Sequence, residues 1–126
     1  MIMNNKKLGT EFEGEVVTLL SQKGYWVHFI TPDARGSQPF DIIASKDGIP
    51  IVGDCKTSKS KWFAVTRFEE NQLTAFEKWF KTGNKYAFVF IKYNEKIYQI
   101  PFRMIAGMKK INLELVENFE ISKWDF

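Results

Sequence analysis

Pro39-Phe40-Asp41 and, one turn later, Ile51-Val52-Gly53-Asp54-Cys55-Lys56 hold the residue types best suited to chemistry in this chain. One acid heads a strand; a second acid, two residues before a lysine, closes the next. Side chains at i and i+2 of a strand share a face, so Asp54 and Lys56 point the same way. If the two segments pair as a hairpin, Asp41 comes alongside them. Two carboxylates and an ammonium at one sheet edge suit a divalent metal and a water held near a phosphodiester. Taken singly, Asp41 and Asp54 are ordinary strand-end residues. The order Asp, hairpin, Asp-Cys-Lys is what favours a site, because a hard cation needs converging oxygens. Cys55 falls on the opposite face and reads as a core filler rather than a nucleophile.

Two further polar residues sit on helical stripes that are otherwise apolar. Glu13 lies at the edge of the Phe12, Val16, Leu19 stripe, and Gln72 stands four residues after Phe68 on the Phe68, Ala75, Trp79 stripe. Alone they read as a salt-bridge partner and a satisfied core amide; together they suggest a polar target shared by helices and sheet. His28 is the only histidine, which argues against histidine-based metal or Ser-His-Asp chemistry, and no Walker-type phosphate loop is present.

The elements that position these residues are legible in outline. Leu8 to Lys23 reads as a helix ended by Gly24, and Tyr25 to Ile30 as a short strand. Thr31 to Gln38 reads as a loop. Phe40 to Lys46 and Ile49 to Lys56 read as strands joined at Asp47-Gly48, a strong hairpin signal. The apolar run Ile49 to Val52 suits a strand covered on both faces. Thr66-Arg67-Phe68-Glu69 fits a capping box opening a second helix, which closes at Gly83-Asn84 and turns Phe68, Leu73, Ala75, Phe76, Trp79 and Phe80 inward. Tyr86 to Lys92 and Lys96 to Pro101 read as another hairpin, followed by a short helix near Phe102 to Met108. The tail from Ile111 to Phe126 reads as a strand or an arm. The fold class expected is α/β: one domain over residues 1–126, with a central mixed sheet flanked by helices.

Composition agrees. A chain of 126 residues with 44% hydrophobic content is enough for one domain with a sizeable core. No apolar run approaches a membrane span, and nothing at the N-terminus reads as a secretory signal. A single cysteine excludes an internal disulfide and any multi-cysteine zinc cluster. Cytoplasmic location is expected, in a bacterial or archaeal cell or a phage host. The net charge is only +3, but its distribution is uneven: Lys56, Lys59, Lys61 and Arg67 fall in a stretch without acids that includes Trp62 and Phe63. Such a segment can grip a phosphate backbone; its bland alternative is a solvated loop.

Gly9-Thr10-Glu11-Phe12-Glu13, Pro39-Phe40-Asp41-Ile42-Ile43-Ala44, Asp54-Cys55-Lys56 and Phe68-Glu69-Glu70-Asn71-Gln72 together resemble the PD-(D/E)XK nuclease superfamily. Within it they look most like Holliday junction resolvases of archaeal type and the related bacterial recombination resolvase, over about residues 7 to 101. The resemblance implies a restriction-endonuclease-like fold. It matches Glu13 to the first-helix glutamate, Asp41 and Asp54 to the sheet acids, Lys56 to the lysine and Gln72 to a second-helix glutamine. Asp54 stands where glutamate is usual, one methylene shorter, and Phe40 intervenes between Pro39 and Asp41. Mg²⁺, with Mn²⁺ as substitute, would be held by Asp41, Asp54 and the Cys55 carbonyl, with Glu13 completing the site directly or through water. Arg35 and Ser37 would lie near the scissile phosphate, with Lys59, Lys61 and Arg67 as further DNA contacts. The implied substrate is a four-way DNA junction and the implied assembly a homodimer, with Trp62, Phe63, Phe119, Trp124 and Phe126 as candidate interface aromatics. The alternatives are another nuclease of the superfamily, restriction-like or processing DNA ends or single strands, and a non-catalytic DNA-binding module. Retention of Asp41, Asp54 and Lys56 argues against the module.

Overall fold

The computed structural model describes the backbone over residues 5–31 and 38–124, and side chains from Gly9 onward. Helix α1 (Asn5–Gln22) is followed by strands β1 (Trp26–Phe29), β2 (Ile42–Lys46) and β3 (Ile49–Thr57). Next come β4 (Trp62–Ala64), a 3₁₀ turn, helix α2 (Glu70–Lys81), β5 (Tyr86–Tyr93) and β6 (Lys96–Pro101). The chain ends with α3 (Phe102–Ile105), β7 (Lys110–Asn112) and three 3₁₀ turns. Five strands form one sheet in the order β1-β2-β3-β5-β6, and β4 pairs with β7 in a separate ribbon. Every neighbouring pair in the large sheet is antiparallel except β3 with β5, which run parallel. The expected mixed sheet flanked by helices is therefore present.

The turns follow from residue chemistry. Asp47 and Gly48 take φ of 52° and 76°, the left-handed pair that a two-residue type I′ hairpin needs and that Asp-Gly supplies at little strain. Asn94 and Glu95 do the same between β5 and β6. That parallel pair needs a long crossover, and the segment from Ser58 through α2 provides it.

Each sheet face carries its own apolar layer. Phe12, Val16 and Leu20 of α1 pack with Ile42, Ala44, Ile51, Phe88 and Phe90 on one side. Val52, Val89, Ile91 and Ile100 pack with Phe63, Phe68, Phe76 and Phe102 on the other. Strand β3 sits at the centre of the sheet, so its middle residues, Ile51 to Asp54, are all buried, whereas Ile49 at its start is exposed, contrary to the expectation of a run covered throughout.

Four further expectations are corrected. The α2 capping box is formed by Glu69 and Gln72, not by Thr66 and Glu69; Thr66 lies in the preceding 3₁₀ turn. Leu73 is exposed rather than inward. Phe63 is fully buried and offers nothing to an interface. The tail is no free arm: the Lys23 ammonium donates to the carbonyls of Ile121 and Trp124 at 2.6 and 2.9 Å. The Trp124 indole N–H donates to the Gln99 carbonyl at 2.9 Å, its ring 5.2 Å from that of Phe88, and Phe119 packs on the domain's own core. Phe126 lies outside the described residues.

Candidate active site

The β2–β3 register sets Ile42 opposite Gly53, and the Asp41 N–H donates to the Gly53 carbonyl at 3.0 Å. Asp41 therefore comes alongside Asp54, as the hairpin pattern led one to expect. Both are buried, at 6% and 0% exposure. The two carboxylates differ in how they are satisfied. Asp41 Oδ2 accepts the Cys55 backbone N–H at 2.7 Å, and its Oδ1 accepts from Gln38 Nε2 at 3.4 Å. Among the described residues, neither oxygen of Asp54 meets a hydrogen-bond donor of ordinary geometry.

Lys56 lies on the Asp54 side of β3, its ammonium 5.4 Å over the Phe68 ring and donating to Gln72 Oε1 at 3.5 Å. The same Gln72 oxygen accepts the Glu69 backbone N–H at 3.0 Å. Gln72 thus ties the start of α2 to the lysine of β3. Its misfit on an apolar stripe reflected this double duty.

The charges of these groups act on one another. Burial is the chief force raising the Asp54 carboxyl to about 7; Asp41 and Glu13 add to it, while Lys56 and the Asp41 backbone amide oppose it. Glu13, half-buried on α1, is pushed up to about 7 by burial and then by Asp41, with Lys56 opposing. Asp41 is raised by burial, against the Cys55 amide, Lys56 and Gln38. Acids that burial has made reluctant to ionise, grouped in one place, are a usual sign of a functional site. The Cys55 thiol, packed in the α1-side layer, is raised well above its ordinary value by burial, which suits a core residue rather than a nucleophile.

Asp41, Asp54, Lys56 and Gln72 are accordingly brought together, and Glu13 on α1 lies near enough to feel the charges of Asp41 and Lys56. Lys59 and Lys61 are exposed just beyond the end of β3. Arg67 is exposed as well, but its guanidinium donates to the Thr57 carbonyl at 2.7 Å and lies 5.2 Å from the Phe63 ring, so it also braces the strand end. Arg35 and Ser37 lie outside the described residues. Gln38 and Phe68 were not anticipated. Gln38 had only its place three residues before Asp41 to mark it, and Phe68 was hidden among core aromatics.

Among the described residues no three Asp, Glu, His or Cys side chains stand as a ready-made metal cluster. The donor set nonetheless fits a hard cation. Asp54 is fully enclosed with both oxygens unmatched, a costly arrangement without a partner of opposite charge, and Asp41 stands beside it.

A mixed sheet with an acid heading one strand, Asp-x-Lys at the end of the next and a glutamate from the first helix defines a domain of the PD-(D/E)XK nuclease superfamily. The family described as archaeal Holliday junction resolvase (Hjc) matches residues 4–123. The chain belongs to that family. It is 32% identical over 102 residues to the crossover junction endodeoxyribonuclease Hjc of Methanocaldococcus jannaschii, covering 80% of this chain and 71% of that protein. Its fold superposes on the Holliday junction resolvase Hjc of Archaeoglobus fulgidus with a TM-score of 0.70 and 19% identity, over 91% of this chain and 98% of that one.

Proposed function

We propose that this chain is a metal-dependent endonuclease that cleaves four-way DNA junctions. The observation that carries the chemistry is Asp54, a fully buried carboxylate whose oxygens meet no donor of ordinary geometry among the described residues, beside Asp41 and Lys56. The family and the names of its relatives support the substrate.

In this reading Asp41 and Asp54, with the Cys55 carbonyl, hold Mg²⁺, for which Mn²⁺ can substitute; Glu13 completes the site directly or through water. The cation, when bound, supplies Lewis acidity toward the phosphate and lowers the pKa of a coordinated water. The protein's own groups do the rest. Lys56 places its ammonium where charge develops on the phosphoryl oxygens, or orients the attacking water. Gln72 fixes the reach of Lys56 by holding its ammonium from α2. Gln38 and the Cys55 amide keep the Asp41 carboxylate aimed. Arg35, Ser37, Lys59, Lys61 and Arg67 contact DNA. Two copies of the chain match the two equivalent scissile strands of a junction, and the DNA places the reaction in the cytoplasm of a prokaryotic or host cell.

The test is a gel assay on a synthetic four-way junction, a linear duplex of the same arms and single-stranded DNA, with Mg²⁺ or with chelator. Cleavage of the junction with Mg²⁺ alone is expected. Equal cleavage of duplex, or activity in chelator, would overturn the proposal.

A further inference from the structure

Two stretches of the sequence contain no acid at all: Cys55 to Phe68, with Lys56, Lys59, Lys61 and Arg67, and Lys96 to Leu113, with Lys96, Arg103, Lys109 and Lys110. Together they hold eight of the 18 cations and none of the 15 acids. Far apart in the chain, they meet in the ribbon of β4 and β7, where Trp62 pairs with Asn112 and Ala64 with Lys110. Residues paired across an antiparallel ladder share a face, so Trp62, Ala64, Lys110 and Asn112 form one face of the ribbon. Phe63 and Ile111 form the other and are buried in the core. On the outer face the Trp62 indole is 45% exposed. The Lys110 ammonium sits 4.5 Å from its ring centroid and that of Lys61 5.9 Å. The nearest acid beyond, Glu114, accepts the Tyr93 hydroxyl at 3.3 Å.

We infer that the outer face of this ribbon is a second DNA-contact surface, in which Trp62 holds the Lys61 and Lys110 ammoniums for the phosphates of a duplex arm. The inference rests on the nuclease reading above and adds the ribbon to it. Cation–π contact over an exposed ring is a weak but directional restraint on a flexible lysine. Here one ring restrains its own neighbour Lys61 and also Lys110, from a strand that only the fold brings alongside. Trp62 follows Lys56 by six residues, so their Cα atoms are no more than about 21 Å apart. One DNA strand advances about 3.4 Å per nucleotide, so a duplex seated at the acids reaches the ribbon within about six nucleotides. The charge balance selects a polyanion: the face offers ammoniums without carboxylates to repel it.

The experiment is fluorescence anisotropy of a labelled four-way junction and of a linear duplex over a series of salt concentrations. Wild type is compared with Lys110→Gln, Lys61→Gln/Lys110→Gln, Trp62→Ala and Trp62→Phe, with Lys85→Gln, at the opposite end of the sheet, as charge control. Each lost phosphate contact should flatten the dependence of log K on log salt by about 0.9, so the double lysine variant should lose about twice that. Trp62→Ala should weaken binding about two- to fivefold, the range of an exposed cation–π contact, and Trp62→Phe should recover most of it. Lys85→Gln should match wild type. Melting curves verify that the exposed-residue variants remain folded. Lysine and Trp62 variants that bind as tightly as wild type with the same salt slope would overturn the inference, and with it the DNA contact of Lys61, while leaving the reading of Asp41, Asp54 and Lys56 as a nuclease site intact. A wild-type protein that binds no DNA would overturn both.

Discussion

Replacing Asp54 by Asn should stabilise the metal-free protein while disabling it. The side chain keeps its volume, but a carboxylate with no exposure and, among the described residues, no donor of ordinary geometry becomes a neutral amide. Burial and Asp41 raise its pKa from 3.8 to about 7. At about 1.36 kcal/mol per pH unit of displacement, the ionised group costs the folded state about 4 kcal/mol above pH 7. The buried amide brings an unmatched cost of its own, about 1–3 kcal/mol, so the net gain expected is about 1–3 kcal/mol. For a chain of this length that is a rise in melting temperature of about 5–15 °C. The pH dependence has a definite sign. Between about pH 4 and 7 the folded state binds more protons at Asp54 than the unfolded state, so wild-type stability falls as pH rises through that window. The variant should therefore melt above wild type at pH 8, and by pH 4, where the ionisation cost is gone and the amide's own cost is left, the order should vanish or reverse. Calorimetric melts in chelator at both pH values measure it. Adding Mg²⁺ should raise the wild-type melting temperature, by about 2.7 kcal/mol of stabilisation at a hundred times the dissociation constant, and leave the variant unmoved. Junction cleavage by the variant should fall at least about a hundredfold, the scale of losing a key electrostatic group. A variant that melts below wild type in chelator, with the same gap at both pH values, would refute the reading of Asp54 as an unpaired buried charge.

Gln72→Ala should cut cleavage more than it cuts stability. It removes half of the α2 capping box, worth about 1 kcal/mol, and also the Lys56 contact at 3.5 Å; a melting loss in full proportion to lost activity would reduce Gln72 to packing. Glu13→Gln should likewise impair cleavage with little change in melting, since the residue sits half-buried at the edge of the α1 stripe. Gly53→Ala should destabilise by about 1–3 kcal/mol through overpacking. Its Cβ would stand 2.5 Å from the buried Phe90 ring and 3.2 Å from the Phe88 carbonyl, and unchanged thermal melts would contradict that geometry. Light scattering at micromolar concentration should return the mass of two chains rather than one.

What could be read in advance follows from the range over which each signal acts. The Asp47-Gly48 turn was legible because few residues accept its left-handed angles, and the common face of Asp54 and Lys56 because strand alternation is strict. Glu13 and Gln72 showed as polar misfits on apolar stripes. The ribbon of β4 and β7 did not show: three residues a side are too few for periodicity, and its pairing joins segments remote in sequence. The capping box was misplaced because two overlapping patterns satisfy the same rule, and the 3₁₀ turn over Val65–Arg67 decides between them. Leu73 lay at the margin of a wide apolar stripe, where only tertiary contacts settle exposure. The tail was ambiguous for the same reason, its position being fixed by Lys23 on α1 and Gln99 on β6.

Cut-site mapping tests the central claim most directly. An immobile four-way junction, with each strand end-labelled in turn, is incubated with Mg²⁺ and wild-type protein or Asp41→Asn. Paired cuts at symmetry-related positions on two opposite strands by wild type, and none by the variant, are the predicted result. Cuts confined to one strand, cuts equally frequent on linear duplex, or undiminished cutting by Asp41→Asn would contradict it.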